Sequence, residues 1–325
     1  ITAYNKDSAQ GMQDVGEVQV WIWNGNQWSN RGQFITGIQA NERFGHSIAL
    51  SSNGNRIVIG APYHNNRGRV VVMDWDNNAQ VYEQKWAREG GDGSDSGYAV
   101  AISPDGNRIA IGEPGAVDAR GTVIIMDLSD INDVRQVGTT INGDVVSGSR
   151  NGFSVALKNN GNTIAIGDPE FDGTNEPDNG HVRVFDLQIN GGFQSWAPRG
   201  NDIEGTAAND LSGSSLDLSA DGNIVAIGSP NNDSGATNSG QVRVFEWLNN
   251  NWSSKGSAIV GSGNSIGEKI GTKRSISLNS DGTVLATGGR YFNSNRGRIT
   301  VYEYKGTTTG WQKRGSDLII PDKPS

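Results

Sequence analysis

The sequence predicts an all-β fold: a β-propeller of four-stranded antiparallel blades with six blade positions, namely five complete repeats plus an outer half-blade at the N-terminus. Three observations predict it. One phrase recurs five times, two further phrases recur six times, and no stretch sustains helical periodicity. Glycine supplies 46 of 325 residues, about one in seven, as a chain that turns back so often requires.

The first phrase starts at Ile48, Val100, Val155, Leu216 and Ile276. Each copy is two short β-rich runs around a turn of Asn or Asp and Gly, a strong hairpin signal. The turn glycines Gly54, Gly106, Gly161, Gly222 and Gly282 are 52, 55, 61 and 60 residues apart. These runs are strands A and B. The second phrase begins at Gly16, Gly68, Gly121, Gly180, Gly240 and Gly297, and its apolar residues alternate as in a strand, C. The third starts at Trp28, Trp86, Val134, Trp196, Trp252 and Trp311 and ends in glycine; it is strand D. Four strands repeated radially at this period form a propeller blade. Because strands C and D occur six times and A–B five times, residues 16–37 should pair as C and D of a partial blade. The chain then divides as one propeller domain over 1–325, with a partial blade at 1–38 and complete blades at 39–90, 91–143, 144–205, 206–261 and 262–325.

The phrases Phe44-Gly45-His46-Ser47-Ile48 and Ile59-Gly60-Ala61-Pro62, followed by Gly-x-Val-x-Val, resemble the FG-GAP repeat of integrin α-subunit propellers and of secreted microbial and algal proteins. That resemblance implies an extracellular or cell-surface location and a non-enzymatic adhesion or assembly module. The partners it implies are other extracellular proteins or further copies of this chain. A lectin-like polysaccharide-binding propeller is the alternative, and a polysaccharide-active hydrolase or lyase a third reading. FG-GAP blades carry a calcium loop between strands A and B. The loops here, such as Ser51-Ser52-Asn53-Gly54, are too short and too poor in carboxylate to supply six to eight oxygens. No cofactor is required on this reading, and calcium is expected only elsewhere.

Composition narrows the classes further. A net charge of −8 without basic clusters argues against nucleic acid, and no apolar run is long enough for membrane insertion. Absence of cysteine removes disulfides, thiolate nucleophiles and Cys-ligated zinc. The B–C and D–A loops share one face and vary most between copies, so binding is expected there. On that face Arg67, Arg120 and Arg296 recur before strand C, with Tyr63 and Tyr291 nearby, as candidate contacts for acidic groups. Asp168, Asp172, Glu176 and Asp178 form a candidate cation loop. Asn232 and Asn251 stand in glycosylation sequons. The tryptophans recur at fixed blade positions, which marks them for packing, and the Lys or Arg preceding the D-strand glycine is expected to lie over the rings. His46, His64 and His181 fall in different repeats, and none completes a catalytic motif.

Overall fold

The computed structural model describes residues 1–144, 148–173, 176–262, 267–292 and 297–319. In blade II, strands A (Ser47–Leu50), B (Arg56–Ala61), C (Arg69–Asp76) and D (Val81–Glu89) pair antiparallel in that order. Blades III to VI repeat this order, starting from strands A at Ala99–Ile102, Ser154–Lys158, Ser215–Leu218 and Ile276–Leu278. Blade I consists of strand C (Glu17–Val18 and Trp21–Trp23) and strand D (Trp28–Asn30 and Ile35–Thr36). Thr2–Ala3 pairs with Glu17–Val18 as the remnant of its strand B. Val18 opposes Ile35 and Trp23 opposes Trp28, so the expected C–D pairing of the partial blade is present. Among the described residues no helix is long and apolar enough to cross a membrane.

The A–B turns are longer than a two-residue hairpin. Ser51 Oγ accepts the Arg56 amide at 3.0 Å, and Asn53 Oδ1 accepts the Asn55 amide at 2.9 Å. Ser103 with Asp105 and Ser219 with Asp221 repeat this closure. The five turn glycines all have φ between +67° and +80°, a region that side chains with a Cβ enter only at a cost.

Blades pack face to face through apolar layers. Between blades III and IV, Ile125 and Ile141 meet Leu157, Ile164 and Ile166. Each such side chain, fully buried, contributes roughly 1.5–3 kcal/mol. The recurring glycines set how closely the blades approach. A Cβ on Gly60, Gly112, Gly167 or Gly228 would lie 2.0–2.4 Å from the carbonyl oxygen of Gly97, Gly152, Gly213 or Gly271 in the next blade. The two glycines that suggested a family resemblance therefore touch one another across these four interfaces, backbone against backbone.

The ring tryptophans pack as expected in three blades. The indole Nε1 of Trp196, Trp252 and Trp311 donates to the carbonyls of Val137, Arg199 and Lys255 in the preceding blade, at 2.9, 2.8 and 2.7 Å. Arg31, Arg199 and Lys255 lie over Trp75, Trp247 and Tyr304 of the following blade at 4.5–5.0 Å. Trp252→Phe should therefore cost about 2 kcal/mol, read as a lower urea midpoint, because it strands the Arg199 carbonyl in a buried layer.

The interface between blades VI and I differs. Trp28 is 63% exposed and Trp23 50%, contrary to the packing role expected for Trp28: their rings meet each other at 5.6 Å, and among the described residues no other aromatic ring covers them. Gly288 and Gly297 of blade VI, which correspond to the interface glycines of the other blades, have no atom within 3.3 Å and 3.6 Å of an added Cβ. Strand A of blade II shows the same gap from the other side: Ile48 is 39% and Leu50 48% exposed, whereas the equivalent Leu216 and Leu218 are buried. Among the described residues the ring carries an open seam on the inner side of blade I.

Candidate functional site

Strands A line a central cavity of about 450 Å³. Within it Asp217 ties blades together. Its Oδ2 accepts the Leu278 amide of blade VI at 2.9 Å, and Lys158 of blade IV lies 3.5 Å from Oδ1. At one mouth, the residue before the aligned positions Ser47, Ala99, Ser154, Ser215 and Ser275 differs in every blade: His46, Tyr98, Phe153, Ser214 and Arg274. The loop entering blade VI has two more residues between its glycine and that aligned position than the loops of blades II–V, in the run Gly271-Thr272-Lys273-Arg274. That insertion, next to the open seam, carries Lys273 and Arg274 across to blades II and III.

The geometry at this mouth is specific. Arg274 Nη2 donates to His46 Nδ1 at 2.9 Å and to the Tyr98 carbonyl at 2.9 Å. Lys273 Nζ lies 3.3 Å from His46 Nε2 and over the Tyr98 ring. A guanidinium can only donate, so His46 Nδ1 is the acceptor and its proton sits on Nε2, pointing at Lys273. Lys273 must then offer a lone pair. Burial and the neighbouring Arg274 and Arg150 guanidinium groups hold the Lys273 ammonium at about 4. Burial, with Lys273, Arg274 and Arg43 around it, holds His46 at about 2. Both shifts disfavour the charged form of these groups. Arg150 stacks over Tyr98 and Phe153 at 5.2 and 5.3 Å, and Arg43 over Tyr63 at 5.0 Å. Two carboxylates bear on this cluster: Glu170 Oε1 accepts Arg150 Nη1 at 3.4 Å, and Asp95, whose pKa burial pushes up, acts on both Arg150 and Lys273. In an acidic chain, this mouth is a cationic pocket with an aromatic wall and an amine whose affinity for a proton is lowered.

Of the residues singled out in the sequence, Tyr63 joins this pocket, its ring edge-on to His46 at 6.1 Å. Arg67 is engaged by Asp92 at 2.6 Å on the exposed rim. Arg120 is partly buried with its Nε unpartnered, and Tyr291 packs under Arg290. Arg296 lies outside the described residues. The expected cation loop does not assemble. Asp172 Oδ1 accepts the Asp178 amide at 2.9 Å and closes the turn, Glu176 pairs by backbone with Gly173, and Asp168 is buried away from them beside His181. Asn232 is not an accessible sequon. Its carboxamide is 3% exposed and donates to Asp210 at 2.9 Å and Thr206 at 3.0 Å. Asn251 opens strand D of blade V and is exposed.

The sequence did not single out Lys273, Arg274 or Tyr98 as functional, and it left His46 without a role. The available signal was the position before the aligned serine or alanine, which varies while its neighbours repeat, together with the two-residue insertion.

No family model matches the chain, and no curated protein matches its sequence. Solved structures do match its fold. A Lactobacillus plantarum protein is 14% identical with a TM-score of 0.60, over 98% of this chain and 80% of that one. A Bacteroides fragilis protein whose proposed activity is that of a 6-phosphogluconolactonase is 12% identical with a TM-score of 0.59, over 98% and 85%. A periplasmic gluconolactonase of Pseudomonas aeruginosa is 15% identical with a TM-score of 0.56, over 91% and 77%. At these identities the likeness establishes the propeller fold. It also corrects the FG-GAP, integrin-like assignment: these similar propellers include proteins named as lactonases, and no FG-GAP model matches. The expectation of a non-enzymatic adhesion or assembly module, and the lectin alternative with it, fall together with that assignment.

Proposed function

We propose that the chain is a lactonase-like hydrolase that opens a sugar lactone bearing an anionic group at the cationic channel mouth. The observation that carries this reading is the Lys273 amine, 3.3 Å from His46 Nε2 and ringed by the guanidinium groups of Arg274 and Arg150, which lower its affinity for a proton. The lactonase names among the similar propellers support it.

The chemistry balances with water as the only co-reactant. Water attacks the lactone carbonyl carbon and gives its proton to Lys273, while Arg274 stabilises the oxyanion. The ring C–O bond then breaks, and the departing alkoxide takes the proton back from Lys273. Arg150 and Arg43 hold the anionic substituent, and the Tyr98, Phe153 and Tyr63 rings pack on the sugar face. A base held near 4 would be weak, but the substrate's negative charge beside Lys273 raises its affinity for a proton towards the range where a base works at neutral pH. A location outside the cytoplasm belongs to the same proposal, supported by the periplasmic gluconolactonase among the similar folds.

Proton release from gluconolactone and from 6-phosphogluconolactone, followed against the spontaneous rate, tests the reading. Acceleration of the phosphorylated substrate above the neutral one is expected. A rate no faster than buffer for both rejects it.

A further inference from the structure

A second polar cluster lies at the interface between blades III and IV, and the channel-mouth chemistry makes no use of it. His181, the first residue of strand C in blade IV (His181–Asn190), is wholly buried, with Phe171 stacked on its ring at 4.0 Å and an interplanar angle of 11°. Neither ring nitrogen has a hydrogen-bond partner. Around it stand three carboxylates: Asp202 Oδ2 at 3.4 Å from Nδ1, Asp144 Oδ2 at 3.8 Å from Nε2, and Asp168 Oδ2 at 3.9 Å from Nε2. One ring nitrogen of His181 and one oxygen each from Asp144 and Asp202 lie within 4.8 Å of one another.

We propose that Asp144, His181 and Asp202 bind a borderline divalent cation, with Zn²⁺ the best match. Zinc bonds of about 2.0–2.2 Å in a tetrahedral site put neighbouring ligand atoms roughly 3.4 Å apart, so the observed spacing closes with small movements of the carboxylates. Those carboxylates are free to make them. Asp144 and Asp202 are 38% and 42% exposed, whereas His181 is fixed. An imidazole among carboxylates suits zinc, while calcium would call for oxygen throughout. Asp144 Oδ1 is held by Arg183 at 3.1 Å, and Asp168 Oδ1 by the Arg150 amide at 2.7 Å. Each thus has its second oxygen facing the imidazole, and the buried Asp168 Oδ2 is itself without a hydrogen-bond partner, a further negative charge beside the proposed cation.

Comparison between blades gives the site its sense. In blade VI, Arg298 holds the position of His181 at the start of strand C, and it bonds Glu268 of the entering loop and Asp317, which stands where blade IV has Asp202. In blade IV, His181 stops 3.4 Å from Asp202 and 3.8 Å from Asp144. A cation there supplies the tie that direct hydrogen bonds supply in blade VI.

Titration of the chelator-treated full chain with ZnCl₂ by calorimetry should show one saturable site. Asp144→Asn with Asp202→Asn, both at partly exposed positions, should weaken binding about 100-fold or more while leaving the circular dichroism unchanged. X-ray absorption at the zinc edge should report a single imidazole with oxygen ligands. Zinc should raise the melting midpoint of the parent and not of the double variant. The proposal is overturned if no saturable binding occurs, if the double variant binds as the parent does, or if His46→Gln or His64→Gln abolishes binding instead. None of these readouts depends on lactone hydrolysis.

Discussion

Lys273→Met is expected to lower kcat/KM on an anionic lactone by about 10²–10⁴-fold, the usual contribution of a positioned general base, and at the same time to stabilise the fold. Methionine keeps the length and apolar stem while removing the amine that has to shed its proton on folding. The sign follows from linkage. Unfolded, Lys273 titrates near 10.4; folded, it is held at about 4, so between those values the unfolded chain binds the extra proton. The resulting penalty is absent above the unfolded value, grows as pH falls, and is complete below the folded one. His46 adds a second penalty of the same sign between about 6.5 and 2. Each fully uncompensated proton tilts stability by about 1.4 kcal/mol per pH unit, and solvent at the open mouth screens this to a fraction. The parent should thus lose stability on acidification from pH 9 to 6, and the variant should lose less. Calorimetry adds an independent reading: binding of an anionic sugar at pH 7 should take up a proton, so the apparent enthalpy varies with the buffer's ionisation enthalpy. A Lys273→Met variant with parental kcat/KM would place the base elsewhere.

Gly112→Ala and Gly288→Ala should differ sharply, although both glycines occupy the same position of strand B. The Gly112 Cβ would sit 2.1 Å from the Gly152 carbonyl oxygen, backbone facing backbone, with no flexible side chain to give way. Separating blades III and IV to make room should cost about 3 kcal/mol or more, at the top of the range for overpacked cores. At Gly288 the nearest atom is Ser275 Cβ at 3.3 Å, and the next interface is the open seam. Replacement there should fall within about 0.5 kcal/mol of the parent. Urea midpoints of the two variants measure both. Equal destabilisation would mean that the seam is covered in solution.

Much of this scaffold was legible because it is written in local terms. The Asn/Asp-Gly turns, the alternation of strand C and the spacing of tryptophans each specify structure within a few residues, and repetition confirmed them. The glycines of Phe44-Gly45 and Gly60-Ala61-Pro62 were legible as a motif, but the motif reads a packing contact between neighbouring blades and not an ancestry. The site was illegible for a different reason. His46 meets Lys273 and Arg274 only because the ring brings residues 227 and 228 positions apart to one mouth. The acidic run from Asp168 to Asp178 looked like a ligand loop on the page of letters. In the fold, Asp172 closes a turn, while Asp168 faces a histidine one strand away.

The open seam also changes how the molecule should come apart. A closed propeller is a hoop: every blade has two neighbours and none is first to loosen. Among the described residues the stack has two ends, blades I and VI, with apolar packing between adjacent members as in a solenoid, and Lys273 and Arg274 reach across the channel mouth from blade VI to blades II and III. Opening should begin at the ends and travel inwards, so the free energy of local opening rises towards the middle of the array. Amide hydrogen exchange should therefore be slowest in strand B of blades III and IV, at Ile109, Ile111, Ile164 and Ile166, all fully buried. It should be fastest in strand C of blade I and strand B of blade VI, although the same phrase of sequence builds them.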